Sequence, residues 1–418
     1  MEVITHKAKR GSRVVYNVKT DLFPKTGPKE MCYSACQESL MMTLANNLSF
    51  RKSEEILNRL RWQDDGNRIK FRTLADVVER NGREIINHID EKAMNLLEQH
   101  QFDPKTGQPI ESQTVEKSIA FPATQLITEN KVQQAISEYN AGREKEGQID
   151  QDEIHGVFED AEQSVNMSVD DVGVTEQKPS GRTTNCAPKE SKHYVQNTVV
   201  HIQQNKQKYV LDGLGIRKTL IVLVAFLLNN DLLLNKALMF FTDGAESIKN
   251  PIRAIFGWRP YRIILDWYHL KKKCGERLSM AMKGRELRNT VLKKLISLLW
   301  LGKMDAAVEY LRNIDPVTIK NSSEIDKLIA YFTKNRDYIP CYALRQQLGL
   351  RNSSNRGEKA NDLVVAQRQK HNGMSWSKAG SSALANIKAM FLNKEDHNWH
   401  DRRQLAFKLI SASPNKCA

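Results

Sequence analysis

The chain has 418 residues, which exceeds one ordinary domain and predicts two or three folding units. Lys and Arg number 63 and Asp and Glu 49, so the formal net charge is +14; nucleic acid is the first candidate partner, and a merely soluble basic protein is the alternative. Six scattered cysteines exclude a disulfide-stapled secreted class, and Asn229, Asn230 and Asp231 interrupt the one long apolar run, which argues against a membrane span.

Two helices joined by a turn are predicted near the N-terminus, where residues 38–86 show apolar positions at helical spacing. The second helix is expected to begin at a Thr73 cap and to end at Gly82. A helix-turn-helix of this kind would place Thr73 to Arg83 in a major groove, whereas a plain helical hairpin with a solvated basic face is the alternative. The side chains expected to contact DNA phosphates or guanine edges are Arg72, Arg80 and Arg83.

Residues 101–163 are rich in Gln, Glu, Asp, Lys and Gly and poor in aromatic residues. This composition predicts a partly ordered linker. Its acidic end, Asp150 to Glu162, would be repelled by a DNA backbone. We therefore expect this segment to tether the parts on either side of it.

From Ser164 the pattern changes from helices to strands. The predicted elements are a strand leading to Asp170-Asp171, strands at Asn197 to Ile202 and Lys208 to Leu211, a helix over Lys218 to Leu234, and strands ending at Asp243 and Asp266. Three strands, a helix, a strand, a helix and a strand form the order of an RNase H-like α/β core. Cores of this kind bring carboxylates together at neighbouring strand ends.

The chain after His269 is predicted to be helical over Arg285 to Trp300 and Met304 to Ile314. Asp243 and Glu358 are separated by 358 minus 243, or 115, positions, which is far more than one crossover needs and predicts a helical insertion. The predicted parts are an all-α, helix-turn-helix-like DNA-binding domain over 1–100, the linker over 101–163, the first part of the core over 164–270, the insertion over 271–350, and the final part of the core with the C-terminal tail over 351–418.

The first acid of this core is either Asp170 or Asp171, since neighbouring side chains of a strand point to opposite faces. Asp171 shares its parity with the apolar residues of its strand, so Asp170 is preferred, although the sequence leaves both open. Asp243 follows five uncharged residues and precedes Gly244, which is typical of a carboxylate at the end of a buried strand. An ordinary Asp-Gly turn is the alternative.

Asp266 closes the next strand and could cap the helix that starts at Trp267. His269 follows three residues later, on the same face of that helix. An Asp-His pair beside a metal site could orient a ligand or contact the scissile phosphate, so we expect Asp266 and His269 to have a supporting catalytic role.

Asp170, Asp243 and Glu358 together suggest two-metal phosphodiester chemistry. Three carboxylates are enough to hold two Mg²⁺ or Mn²⁺ ions, which prefer oxygen ligands and stabilise both the attacking and the leaving oxygen. Basic residues close to these acids in sequence would contact DNA phosphates, and the candidates are Lys271, Lys272 and Arg356.

The chain resembles the DDE transposases of bacterial insertion sequences related to the Mutator superfamily and the ISKra-like group. The resemblance rests on Asp170, Asp243, Asp266-x-x-His269 and Glu358, followed by the run Gly373 to Ser377. The resemblance implies an RNase H-like catalytic core with a helical insertion, two divalent metal ions and an oligomer, a homodimer or larger, on double-stranded DNA of transposon ends and target. It also implies that Asp170, Asp243 and Glu358 are the metal-binding triad. In the family the first acid is usually followed by Gly or another residue, whereas Asp171 follows here.

The expected function is metal-dependent DNA cleavage at element ends and strand transfer to target DNA. An RNase H-fold nuclease or resolvase without strand transfer is one alternative, and a non-catalytic DNA-binding protein derived from a transposase is another. We expect a cytoplasmic, nucleoid-associated protein with no membrane partner, because residues 1–20 carry scattered charges and lack the apolar run of a signal peptide.

Overall fold

The computed structural model describes residues 33–60, 68–110, 120–154, 157–177, 193–370 and 374–411. Residues 1–20, whose composition bears on a signal peptide, and Gly373 of the run that resembles the transposases lie outside these ranges.

Six strands of the described residues form one sheet in the order β5-β4-β1-β2-β3-β6. The strands are β1 Ser164–Thr175, β2 Tyr194–Gln204, β3 Gln207–Leu214, β4 Ala237–Thr242, β5 Tyr261–Leu265 and β6 Ile410–Ser411. β1 is antiparallel to β2 and parallel to β4, while β4 is parallel to β5.

Helices surround this sheet. They are α1 Ala35–Asn47, α2 Phe50–Leu60, α3 Phe71–Gln99, α4 Glu129–Asn140, α5 Ile216–Asn229, α6 Glu246–Phe256, α7 Trp267–Ala281, α8 Arg285–Trp300, α9 Met304–Arg312, α10 Ser322–Asn335, α11 Tyr342–Gln347, α12 Asn355–Asn361, α13 Gln367–Gln369, α14 Lys378–Leu392 and α15 Asp396–Arg402. A π-helical turn, Asp362–Ala366, joins α12 to α13. The predicted order of three strands, helix, strand, helix and strand is confirmed for β1 to β5, and this mixed α/β arrangement is compatible with an RNase H-like core.

The sheet is covered on both faces. Along β1, Val165 and Val169 pack into a core that includes residues of α3, α5 and α6. Val172 and Val174 pack on the opposite face, in a core with residues of α12, the π-helical turn and α14. All six residues of β4 are buried, as expected for a parallel strand covered on both sides.

Helix α3 is one helix of 29 residues and does not end at Gly82. A Cβ at this buried glycine would lie 2.3 Å from the Cβ of Ala383 in α14. Gly82 therefore allows two helices to approach closely, and the prediction that it ends a helix is wrong. Thr73 lies inside α3, whose N-cap is Lys70, so the predicted cap is also wrong. The short recognition helix is replaced by a long helix that packs against α14.

The described part of segment 101–163 contributes buried surface. Ala135 and Ile136 of α4 pack in a hydrophobic cluster with Phe158 and Leu344. Just before β1, Glu159 accepts two hydrogen bonds from the Arg345 guanidinium, at 2.9 and 2.6 Å. Paired burial of this kind fixes a segment in place, so the structure gives this part of the chain a packing role in addition to any tethering role. The domain boundaries remain a proposal.

Helices α7 to α11 share a hydrophobic cluster with one face of β4 and β5. The predicted helix over Arg285 to Trp300 is confirmed at both ends, and the next begins at Met304 as predicted. Of the helices in the described ranges, none is sufficiently long and apolar to cross a membrane.

Candidate functional site

Asp170, Asp243 and Asp266 lie level with one another across three neighbouring strands. Paired residues of β1 and β4 differ by 73 in residue number, as Ser168 and Phe241 do, and Asp170 and Asp243 differ by the same 73. Paired residues of β4 and β5 differ by 23, as Thr242 and Leu265 do, and Asp243 and Asp266 differ by the same 23. Because adjacent strands are about 4.8 Å apart, the three backbones form one row at the carboxyl edge of the parallel strands.

Asp170 is half-buried beside Asp243. Burial, followed by the nearby charge of Asp243, raises the pKa of Asp170 to about 6. Its Oδ2 accepts a hydrogen bond of 2.5 Å from the amide of Asn361, and its Oδ1 accepts one of 2.9 Å from the Asp171 backbone. A carboxyl group whose ionisation is disfavoured by a neighbouring carboxylate is a typical setting for a bound cation.

Asp170 rather than Asp171 faces helix α12. Asp171 instead accepts a hydrogen bond of 2.6 Å from the Thr198 hydroxyl on β2. The helix approaches β1 closely, since a Cβ at Gly357 would lie 2.4 Å from the Cβ of Ser168. β1 continues past the acid pair, because its pairing with β2 extends to Thr175.

Asp243 directly follows β4, at the start of the turn into α6. Its Oδ1 accepts a hydrogen bond of 2.8 Å from the backbone of Ala245. Gly244 has a φ of +87°, a value that glycine adopts readily. The expected turn is therefore present, and it leaves the carboxylate in the wall of a cleft.

Asp266 is fully buried and caps α7, since its Oδ1 accepts a hydrogen bond of 2.9 Å from the His269 backbone. Its Oδ2 accepts from the backbone of Ser354, in the segment that precedes α12. The same segment is held by a 3.1 Å hydrogen bond from the Trp267 backbone to the carbonyl of Asn352. Asp266 thus fastens the start of α7 to the segment that carries Glu358.

A buried ion pair supports this segment from below. Arg345, which pairs with Glu159, also donates from Nε and Nη2 to the carbonyl of Arg351, at 3.0 and 2.9 Å. Its side chain is fully buried. Hydrogen bonds at Arg351, Asn352 and Ser354 therefore hold the backbone that leads to α12. This anchoring places Glu358 next to the first turn of α7.

Glu358 meets His269 and Asp266 at this point. The Nε2 of His269 lies 3.1 Å from Oε1 of Glu358. Each of the three residues offers one ligand atom, and these atoms all lie within 4.8 Å of one another. Oε1 of Glu358 is buried and, within the described chain, has no partner in hydrogen-bonding geometry, so close approach to His269 does not satisfy it.

This donor set fits a divalent cation. Carboxylate oxygens suit Mg²⁺ and Mn²⁺, and an imidazole nitrogen extends the range to Zn²⁺ and other transition metals. A cation bound here would supply the partner that the buried Oε1 of Glu358 lacks.

The grouping differs from the predicted metal triad. Asp266 and His269 were expected only to support the ligands, yet their ligand atoms lie within 4.8 Å of that of Glu358. Among described residues, Asp170 and Asp243 do not belong to a group of three with this spacing. The physical reason is the hydrogen bond between Asp266 and Ser354, which brings α12 towards β5.

An open cleft of about 580 Å³ begins at Asp243 and His269. Its lining is mainly basic, from Lys272, Lys273, Arg277, Lys327 and Lys334, with two acids, Asp243 and Glu276. Arg277 and Lys327 are paired with Glu324 and Lys334 with Glu246, so only part of this positive charge is neutralised locally.

The predicted DNA-contacting residues occupy different places. Lys272 lines the cleft, and Lys271 is exposed beside it in sequence on α7. Arg356 is exposed and donates to the Gln203 side chain on β2. The three arginines of α3 are not gathered at the carboxylates: Arg72 and Arg83 are exposed, and Arg80 pairs with Glu38.

Asn361 is a site residue that the sequence analysis missed. It lies three positions after Glu358 on α12 and donates to Asp170. The available signal was a polar amide one helical turn from a candidate acid, since residues three apart share a helix face.

No family model matches the chain, and no curated protein matches it. Among solved structures, the Drosophila P element transposase strand transfer complex is similar at 9% identity and a TM-score of 0.27, with 92% of this chain and 85% of that chain covered. A likeness this weak carries no argument about activity. The resemblance to bacterial DDE transposases therefore rests on the sequence motifs alone.

Proposed function

We propose that the chain is a metal-dependent polynucleotidyl transferase that cleaves and joins DNA, a DDE transposase of the kind its motifs resemble. The observation that carries the proposal is the convergence of Glu358 with Asp266 and His269, beside the row of aspartates at the sheet edge. Two separate parts of the chain meet there, next to the strand ends that carry Asp170 and Asp243.

The candidate holders of metal are the carboxylates of Asp170, Asp243 and Glu358, with Asp266 and His269 next to Glu358. Divalent ions at these residues would activate a water or a 3′-hydroxyl and would stabilise the leaving oxygen. Asn361 would orient Asp170 through the hydrogen bond to its Oδ2. Asp266 would keep His269 and Glu358 together, because it caps α7 and binds the segment before α12.

Basic residues of the cleft support a polyanionic substrate. The cleft opens from Asp243 and His269, and Lys272 and Lys273 lie on the helix that begins at the site. Phosphates of a DNA strand in this cleft would meet several positive side chains close to the carboxylates. Binding to paired ends as an oligomer and action on target DNA belong to the same proposal.

The proposal is tested with supercoiled plasmid that carries the sequences flanking the gene. Incubation with the full chain and Mg²⁺ or Mn²⁺ is expected to give nicked plasmid and, with a second labelled duplex, joined products; EDTA is expected to abolish both. Nicking without joining would support a nuclease or resolvase instead. DNA binding without metal-dependent nicking would contradict the catalytic proposal and support a binding protein.

A further inference from the structure

Three basic side chains surround His201 on the sheet face that carries Asp170. Ser168 pairs with His201, and Gln203 pairs with Lys208, so these residues share one face of antiparallel strands. Arg356 reaches this face through its hydrogen bond to Gln203, and burial, followed by the charges of Arg351, Lys208 and Arg356, lowers the pKa of His201. Within the described ranges, none of the three cations forms an ion pair with an acid.

Buried polar atoms without partners cluster at this place. Nδ1 of His201, Oγ of Ser168 and Oδ1 of Asn166 are buried and have no hydrogen-bond partner among the described residues. Nη1 of Arg351 has the same status. The His201 side chain is only 5% exposed. A buried polar group without a partner destabilises the folded state, so a cluster of four indicates a place that a polar ligand would complete.

The charge of the cluster identifies the class of ligand. Burial, and then the charge of Arg356, lowers the pKa of Arg351 to about 10, so the guanidinium remains positive at neutral pH. Burial and three neighbouring cations lower the pKa of His201 to about 3, so its imidazole is neutral there. A neutral imidazole, a hydroxyl and several cations together complement an anion with several acceptor oxygens.

The position of Arg351 is built into the fold. Its carbonyl accepts two hydrogen bonds from Arg345, whose guanidinium is held by Glu159. Arg356 is likewise directed to this face, because it donates to Gln203 on β2. Arg356 and Glu358 are two positions apart on α12, so the basic cluster and the carboxylate group are held by the same helix.

We propose that Ser168, His201, Lys208, Arg351 and Arg356 form a phosphate-binding site. It holds a backbone phosphate of the DNA strand next to Asp170 and Glu358; the identity of that strand rests on the proposed function, whereas the phosphate chemistry does not. The site lies on β1, β2, β3, the segment before α12 and the first turn of α12, apart from the basic cleft at α7 and α10.

Inorganic phosphate is the first probe. Added to the full chain at constant ionic strength, against a sodium chloride control, phosphate is expected to raise the Tm, because a ligand that binds only the folded state stabilises it. Arg351→Gln is expected to lose this response by about tenfold or more in apparent phosphate affinity. Arg285→Gln, at an exposed arginine of α8, is the matched control and is expected to respond like the wild type. No rise in the wild type, or an equal rise in Arg351→Gln, would overturn the site.

A 20-base-pair labelled duplex is the second probe. Its affinity for Arg351→Gln and Lys208→Gln is expected to fall, and the dependence of log K on log salt to become shallower by about 1 for each phosphate contact removed. Lys293→Gln, at an exposed lysine of α8, is the control. Circular dichroism checks folding, and Lys208→Gln decides if Arg351→Gln does not fold. Unchanged affinity and salt dependence in Lys208→Gln would reject the site.

The two proposals fail separately. A wild type that never nicks DNA, with phosphate binding lost in Arg351→Gln, would leave the phosphate site intact and remove the proposed function. A wild type that nicks DNA, with phosphate and duplex binding unchanged in both variants, would leave the proposed function and remove the phosphate site.

Discussion

Nε2 of His269 lies 3.1 Å from Oε1 of Glu358, although the two residues are 358 minus 269, or 89, positions apart. The helical segment α8 to α11 lies between them in sequence. The contact therefore depends on the path of the segment after α11, which brings the chain back to the first turn of α7. A metal site at this place would need both residues.

His269→Ala is expected to weaken binding of Mn²⁺ by about tenfold or more, since one of three neighbouring donors is removed. Isothermal titration of the full chain with Mn²⁺ measures this without any DNA. His397→Ala, at an exposed histidine of α15, is the control and should bind as the wild type does. Equal affinity in both variants would show that His269 is outside the metal site.

Asp266→Ala is expected to lower the free energy of unfolding by about 2 to 4 kcal/mol, because the backbone amides of His269 and Ser354 lose their acceptor. Urea denaturation measures the change. Asp315→Ala removes an exposed cap of the short helix Pro316–Thr318 and should cost about 1 kcal/mol or less. An equally small effect at Asp266 would mean that it does not fasten the two segments.

Gly357→Ala is expected to displace α12 from β1, because the added Cβ would lie 2.4 Å from the Cβ of Ser168. The expected cost is about 1 to 3 kcal/mol of unfolding free energy, together with weaker Mn²⁺ binding through Glu358. Gly147→Ala, where a Cβ meets nothing within 4 Å, should change stability by about 0.5 kcal/mol or less. Wild-type stability and metal affinity in Gly357→Ala would contradict the close helix-strand contact.

Acid is expected to destabilise the protein through His201. Its folded pKa of about 3 lies below the usual value of 6.5, so between these values the unfolded chain binds a proton that the folded chain does not. This contribution to stability is complete above pH 6.5 and falls as the pH drops towards 3, by up to about 1.4 kcal/mol for each pH unit. Urea denaturation at pH 7 and pH 5, without phosphate, measures the change.

His201→Gln should remove this part of the pH dependence, whereas His397→Gln, at an exposed position, should keep it. The same loss of stability between pH 7 and pH 5 in His201→Gln and in the wild type would rule out His201 as its source.

Local periodicity predicted the elements that hold the candidate acids. The alternation around Val165 and the uncharged run before Asp243 identified β1 and β4, and parity placed Asp170 on the face where Asn361 contacts it. These features depend on neighbouring residues of one strand, so the sequence contains them directly.

Long-range contacts decided what periodicity could not. Gly82 fits both a helix end and a close helix contact, and only the presence of Ala383 selects the second. Asp266 fits an ordinary cap, and nothing in its own segment shows that Ser354 also binds it. The pairing of Glu358 with Asp266 and His269, rather than with Asp170 and Asp243, follows from that second hydrogen bond.

The most direct test of the carboxylate site is the rate at which the full chain nicks supercoiled plasmid in Mn²⁺. Glu358→Gln is compared with the wild type and with Glu309→Gln, which changes an exposed acid of α9 outside the cleft and outside the group of Asp266, His269 and Glu358. We predict that Glu358→Gln lowers the rate on the order of 100-fold or more, as for groups that act as a unit, and that Glu309→Gln nicks nearly as fast as the wild type. Wild-type nicking by Glu358→Gln would contradict the account.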